Sequence, residues 1–456
     1  MTFPTDSIQQ ANRQHNFKYV WRSIIVPIVL FISFFVLANA AVTITCTTIV
    51  AFDCPLAWPI SVFSLRVIET WDLIRLIALF IFAWLVFSWL EKHHYPISGV
   101  LPIAVVLLLS SNFIPGWLTG FVTPIAYGAD NYYYDAVEIA DPIEFIQGYE
   151  EAQETSLRLR TRTNPPGAAL NIYLINKLVN SPGWISVVVT IITGSATALF
   201  MWLIIRQHFP DDQWLPGYVT LLLMIVPAIQ IFYTFAVDPI ISSALLASIY
   251  FTLHPNRYIN VSGNILSLFI ASFTSFLFIF VIPIMGALVL YNRKMIWRVI
   301  LSFLGLLILY GLIERFIGYH YIHSFQIASA IENPDGFRLF SDTINYVATR
   351  LESIADILFF FGPFLILLSL RGIRPMLQQQ SSLRLLTIVA LVAFSGMLAA
   401  GVLRTGEASR VMLFIYPYLL IPVAYRLRES EYNRVLLLNL IFGQTLILQI
   451  IGIYFA

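Results

Sequence analysis

Charge is what this chain has least of. Only 11% of its 456 residues are Asp, Glu, Lys or Arg, where a soluble domain carries about a quarter. The scarce charges nearly cancel, to a net of +1, which is too small to suggest a nucleic-acid partner. Low-complexity tracts, short-period repeats and any stretch with the composition of a soluble domain are also missing. What is present is oil. Hydrophobic residues make up 59% of the chain, with 36 Phe and 22 Tyr, and the mean hydropathy is +0.80. Abundant aromatic rings suit a chain that meets bilayer interfaces. The composition predicts an all-α polytopic membrane protein.

Apolar windows long enough to span fall near 24–44, 73–90, 98–120, 184–206, 215–235, 239–253, 264–291, 297–316, 351–370, 384–403, 410–426 and 435–455. The 264–291 window is too long for one crossing and contains Pro283 and Gly286, so it reads as two short helices. That gives about 13 transmembrane helices, within a range of 11–14. Ala38-Asn39-Ala40 imitates a signal-peptide cleavage site. The apolar run continues past it, and the expectation is an uncleaved first span. Cys46 and Cys54 follow closely; they either pair on an oxidising side or stay as two small hydrophobes.

Orientation follows the Lys and Arg bias. With Arg13, Lys18 and Arg22 in the cytoplasm, the inside loops hold Lys92, Arg206, Arg257, Arg293, Lys294, Arg298, Arg371, Arg374, Arg384, Arg426, Arg428 and Arg434. Counting 264–291 as one span would invert everything downstream, so charge favours the split. Two outer loops result, at 121–183 and 318–350, and the first carries about a third of the acidic residues. Asp211-Asp212 falls in an inside loop and is expected to be solvated.

The first loop opens "AYGADNYYYDAVEIADPIEF". A helix from Asn131 would set Asp130, Tyr134 and Asp141 on one face, with Glu138 beside it and Asp135 turned away. Asp130 either caps that helix or serves as a general base for a bound hydroxyl. The three tyrosines suit either a sugar ring or the headgroup layer. Further on comes "YEEAQETSLRLRTRTNPPGAALNIYLINKLV". Its alternation predicts an extended segment with Arg158, Arg160 and Arg162 on one side. Pro165-Pro166 fixes the backbone and biases Asn164 away from helix. Gly167 then opens an amphipathic helix too short to span, expected to lie in the interface. The arginines either pair with Glu150, Glu151 and Glu154 or bind an anionic headgroup such as a lipid-linked phosphate.

An acid-bearing first loop, "GADNYYYDAVEIA", followed some thirty residues later by "PPG" and an apolar interfacial helix resembles the GT-C superfamily of membrane glycosyltransferases. The similarity is to the bacterial branch related to protein O-mannosyltransferases and aminoarabinose transferases. "FAVDPIISSALLASIYF" is similar to that family's short outer turn and small-residue helix. "RTGEASRVMLFIYPYLLIPVA" resembles its late pattern at Gly406, Glu407, Arg410, Phe414 and Pro417. Where many relatives carry His before the two prolines, this chain has Asn164, which cannot carry a proton. Three spans precede the large loop instead of one. Residues 1–97 therefore read as a cytoplasmic N-terminus plus a two-helix extension, and 98–456 as the core.

The resemblance implies inverting transfer of a sugar from a polyprenyl-phosphate donor to a lipid, glycan or protein hydroxyl, on the outer face of the plasma membrane. It implies Asp130 as base with Asp135 in reserve. Arg410, Arg162 and Arg404 would hold the donor phosphate, and Tyr134, Asn164, Glu407 and His320 would line the cavity. Membrane lipids would be the remaining partners, and no metal or cofactor is expected. The plain structural alternatives are a Glu407–Arg410 ion pair at i,i+3, Asp238 as a helix N-cap, and His320 and His323 as interfacial side chains. Two other classes compete. One is a transporter or lipid flippase, which would place charges or broken helices at mid-membrane. The other is an O-antigen ligase or polymerase type of protein, which would carry its large outer loop late in the chain.

Overall fold

The computed structural model describes residues 26, 28–41, 60, 63–128, 131–235, 237–334, 336–402, 407–429 and 432–454. Apart from a two-residue antiparallel pair, β1 (Ser64–Leu65) with β2 (Gly452–Ile453), the described residues form helices and their connections. After α1 (Ile28–Ala41) come α2 (Thr70–Lys92) and α3 (Ile97–Asn112). The first large loop is itself helical: α4 (Thr123–Ala126), α5 (Tyr132–Glu138), α6 (Pro142–Gln147), α7 (Tyr149–Thr155), α8 (Leu159–Arg162) and α9 (Gly167–Val179). The long α10 (Pro182–His208) follows, then α11 (Leu215–Ile225), α12 (Pro227–Phe232), α13 (Asp238–Leu253), α14 (Arg257–Thr274), α15 (Val281–Tyr291) and α16 (Ile296–Ile317). The last third holds α17 (Tyr321–Glu332), α18 (Arg338–Ser341), α19 (Thr343–Phe361), α20 (Pro363–Gln378), α21 (Ser382–Ala399), α22 (Ala408–Val411), α23 (Tyr416–Glu429) and α24 (Arg434–Ile451).

Among the described residues, five helices are long and apolar enough to cross a membrane: α2, α10, the segment ending in α16, α21 and α24. The bent pair α19–α20 makes six if it counts as one span. Most of the other expected windows correspond to shorter apolar helices of 10–17 residues. The 264–291 window is indeed divided, but at Ser275 and not at Pro283 or Gly286. Ser275 leaves helical geometry, and its hydroxyl accepts from Leu277 N to cap the next turn. Pro283 sits in the first turn of α15, where its missing N–H breaks no bond.

Proline sets the other breaks. Pro227 starts α12 and forces Val226 into an extended conformation, which ends α11 within a fully buried stretch. In an apolar interior each freed carbonyl needs a partner, and two polar side chains and one backbone amide supply them. Gln230 Nε2 donates to Met224 O at 2.6 Å, Thr445 Oγ1 to Ile225 O at 2.8 Å, and Val226 N to Leu223 O at 3.2 Å. Asn112 Nδ2 caps Gln230 O, while Ser186 and Thr190 of α10 cap Thr234 O and Tyr233 O. Here buried amides and hydroxyls are the condition for breaking the helix.

At Gly362 the chain turns by 101° between α19 and α20. Pro363 excludes helix at the preceding residue, and Gly362 adopts φ 90°, where a side chain would also strike Gln444. The preceding helix has its polarity turned inward. Ile344, Val347, Leu351 and Ile354 of α19 are exposed, whereas Tyr346, Glu352, Ser353 and Asp356 are buried. A helix with that distribution suits lipid on one side and a polar site on the other. The 318–350 region, expected as a loop, is therefore mostly helix.

Packing of α20 on α23 depends on a glycine. A Cβ added at Gly372 would lie 1.9 Å from the Pro422 carbonyl oxygen, while one added at Gly396 of α21 meets nothing within 4 Å. Gly372→Ala is expected to destabilise by about 1–3 kcal/mol through overpacking. Gly396→Ala is expected to be neutral or to stabilise by up to ~1 kcal/mol. Thermal unfolding of both variants in one detergent tests the contrast, and equal shifts would refute the close contact.

Candidate anion site around Arg410

The site grows out of the first loop. Tyr132 and Ala136, one helical turn apart on α5, are buried, and α5 packs against α9. The face expected to join Asp130, Tyr134 and Asp141 does not extend that far. α5 ends at Glu138, and Asp141 caps α6, accepting from Ile143 N at 2.6 Å and Glu144 N at 3.2 Å. Asp130 and Arg404 lie outside the described residues, as do Cys46 and Cys54.

Asp135 is buried, and three donors occupy its carboxylate. Arg158 Nη1 stands at 2.7 Å, Arg158 N at 3.2 Å and Thr161 Oγ1 at 2.5 Å. Arg158 reaches on to Glu138 at 3.0 Å and lies over the Tyr134 ring at 5.3 Å. The Glu138 hydrogen bond, with Asp135 behind it, raises the Arg158 pKa against the opposing effect of burial. The Tyr134 hydroxyl donates to Ala126 O at 2.6 Å. Asp135 and Tyr134 thus tie the loop together.

The stretch expected to be extended instead turns once as α8. At about 100° per residue, helical geometry sends Arg160 and Arg162 roughly 200° apart, so the three arginines do not share a side. Arg162 Nε and Nη2 donate to the Gln153 and Glu154 carbonyls at 2.6 and 2.7 Å. Arg160 turns inward, placing its guanidinium 5.3 Å from the Phe235 ring centre. Burial, and then the neighbouring Arg410 charge, lower the Arg160 pKa.

Arg410 lies 4.5 Å from the same ring. It is carried by α22, a single turn following residues 403–406, which lie outside the described residues. Glu407 pairs with its Nη2, as the i,i+3 spacing anticipates, and Asp238 Oδ2 stands 3.3 Å from its Nε. Asp238 does not cap α13, because it is already inside the helix and its carboxylate faces Arg410. Asp356 of α19 accepts from Ser409 N at 2.8 Å and so fixes the turn that carries Arg410. A cavity of about 10 Å³, room for roughly one water, lies between Asp356, Glu407 and Arg410 on one side and Phe232, Phe360 and Tyr454 on the other.

Asn164 enters through a neighbour. Its Nδ2 donates to the Tyr132 hydroxyl at 2.9 Å and to Arg160 O at 3.0 Å. Burial raises the Tyr132 pKa, and the charges acting on that phenol include Asp238, Arg160 and Arg410. His320 stands elsewhere. Its backbone N–H donates to Glu150, and its ring lies 3.3 Å from Glu150 and 3.7 Å from Glu314. Among the described residues, no three His, Cys, Asp or Glu side chains stand together as a metal site.

Of the residues expected in the site, Arg410 and Glu407 meet, and Asn164 joins through Tyr132. Tyr134, Asp135, Arg162 and His320 point into other contacts. Sequence reasoning named Arg160 only as one of three loop arginines open to an anionic headgroup, and it passed over Phe235, Asp356 and Glu352. The last two carried a readable signal, being acids at i,i+4 in an otherwise apolar window. Asp212, expected to be solvated, is half-buried and pairs with Arg428 at 2.6 Å. It lines a second cavity of about 490 Å³ with Trp214, Gln379, Tyr425 and Arg434. α10 separates the two regions. Its Ser186 end meets Thr234 near Phe235, its His208 end meets Ser382, and 27 residues span about 40 Å.

The arrangement is suited to anion exchange. Two guanidiniums, one with carboxylate counterions at ion-pair distance, converge on one aromatic face, and an incoming phosphate oxygen can take the place of a carboxylate. The chain matches no protein-family model and no curated protein.

Replacing Asp135 tests the loop's construction. Asp135→Ala leaves Thr161 and Arg158 without their shared acceptor, at an expected local cost of about 2–3 kcal/mol. Brief trypsin digestion in detergent should then cut at Arg158, Arg160 or Arg162 far sooner than in wild type. Tyr134→Phe should change cleavage little. Unaltered cleavage in Asp135→Ala would show that the tether is dispensable.

Proposed function

We propose that the chain is an integral-membrane glycosyltransferase of the GT-C type. In this reading it crosses the plasma membrane about thirteen times, with its N-terminus in the cytoplasm and its site on the outer face. A polyprenyl-phosphate sugar is the donor, and a hydroxyl of a lipid, glycan or protein is the acceptor. The observation that carries the reading is the meeting of Arg160 and Arg410 on Phe235, with Asp238 beside them. Those residues come from three stretches on which the family resemblance rests: the early acidic loop, the FAVDPI turn and the late Gly-Glu/Arg segment.

The chemistry asks little of the protein. The acceptor oxygen attacks the anomeric carbon from the face opposite the phosphate. The bond from that carbon to the phosphate oxygen breaks, and the configuration inverts. Asp130 takes the acceptor proton. Charge collects on the leaving phosphate, where Arg410 and Arg160 oppose it in a water-poor setting. Arg404, close in sequence to Arg410, remains a third candidate for the phosphate. Arg162 is turned away from it.

One observation favours transport or lipid flipping as a second reading. The helices broken at Val226 and Gly362 approach each other where α12 meets α19, and paired discontinuous helices are how many transporters bind substrate. Against it, the Leu223, Met224 and Ile225 carbonyls at the first break all have donors within the protein, so they are not open to a cargo ion.

Membranes supplied with lipid-linked sugars provide the test. Asp130→Asn should lower transfer at least about 10²-fold. Arg410→Gln and Arg160→Gln should each lower it by about 10²-fold, with normal expression. Full transfer in Asp130→Asn removes the base. Movement of labelled lipid across proteoliposomes without any sugar transfer would select the second reading.

A further inference from the structure

α8 sends Arg160 toward the anion site and Arg162 the opposite way, into a groove between the α7–α8 corner and α17. The groove has a volume of about 430 Å³ and opens to the surface, which is within the size range of small-molecule sites. Its α17 wall is one helical stripe, His323, Gln326, Ile327 and Ile331, at spacings of three, four and eight residues. The facing wall is Glu154 and Arg162.

We propose that this groove binds the sugar portion of a hydroxyl-rich acceptor. The inference rests on the transferase reading for the word acceptor, but not for the binding itself. Three features carry it. First, the groove's edge groups are a guanidinium, a carboxylate, an amide and an imidazole, all planar side chains with donors and acceptors for vicinal hydroxyls. Ile327 and Ile331 offer an apolar floor for the C–H face of a ring.

Second, the charge is balanced. Arg162 is held by two backbone carbonyls, and among the described residues no carboxylate lies within ion-pair distance of it. Glu154 stands beside it on the same wall. One cation next to one anion gives a charged headgroup no preference but suits a neutral polyol. Third, the walls are set before any ligand arrives. The buried Gln153 joins them, its Nε2 donating to Arg162 O at 2.6 Å and Ser324 O at 3.1 Å while its Oε1 accepts from Ser324 Oγ at 2.9 Å. Walls fixed in this way lose little freedom on binding. Asn164 and Arg160 belong to the same short segment as Arg162, so a ligand in the groove would lie one layer outside the anion cluster.

The probe is a panel of methyl α- and β-hexosides, observed by saturation-transfer NMR on the full chain in nanodiscs. Gln326 is exposed, so Gln326→Trp fills the groove without disturbing the core. At least one glycoside should bind wild type, and its affinity should fall about tenfold in Gln326→Trp. Gln326→Ala should weaken binding less. No saturation transfer to wild type, or equal binding in Gln326→Trp, overturns the proposal. So does a signal from short Gly-Ser peptides with none from the glycosides. Glycoside binding that survives in a protein unable to transfer sugar would count against the transferase reading and leave the groove standing. Transfer with no groove binding would do the reverse.

Discussion

Burying a guanidinium is the constraint from which the site follows. Arg410 is only 9% exposed, and a charge so placed must find partners or destabilise the fold. None of its neighbours in sequence except Glu407 can supply them. The rest come from far away: Asp238 at the start of α13, the Phe235 ring just before it, and Asp356 through the Ser409 amide. Arg160 arrives on the same ring from the first loop. Four stretches of chain are thereby held at one point, and the loop between α3 and α10 cannot drift from the late segment without stranding a charge.

The same reasoning explains how the surrounding helices break. α11 and α12 are separated inside an apolar interior, which would leave carbonyls unpaired if every neighbour were Leu or Val. Gln230, Asn112, Thr445, Ser186 and Thr190 pair them. A sequence that reads as oily along its length therefore contains polar residues placed for its own backbone.

Much of this was legible in the amino-acid order, and for identifiable reasons. Apolar windows mark helices because hydropathy acts locally, but the breaks at Pro227 and Pro363 fall inside windows, 215–235 and 351–370, that read as single spans. Glu407 and Arg410 are one turn apart and can be paired on spacing alone. The failures share a cause. "RLRTR" alternates as a strand would, yet it turns as a helix because Asp135 collects Arg158 and Thr161 from outside the segment. Asp238 looks like a cap until Arg410, 172 residues later, is brought to it. Ser275 ended a helix that Pro283 and Gly286 seemed better placed to end. Contacts between distant segments decided each of these cases, and no window of sequence contains them.

The inward polarity of α19 has a consequence for how the chain is made. Glu352 and Asp356 are buried on the face of α19, Asp356 accepts from the Ser409 amide of α22, and Ser409 is synthesised 53 residues after Asp356. Until then the helix would have to offer two carboxyl groups to lipid or four large apolar side chains to water. Neither medium suits both faces. The polar face of Thr343–Phe361 therefore gains its Ser409 partner only once α20, α21 and α22 have followed it along the chain.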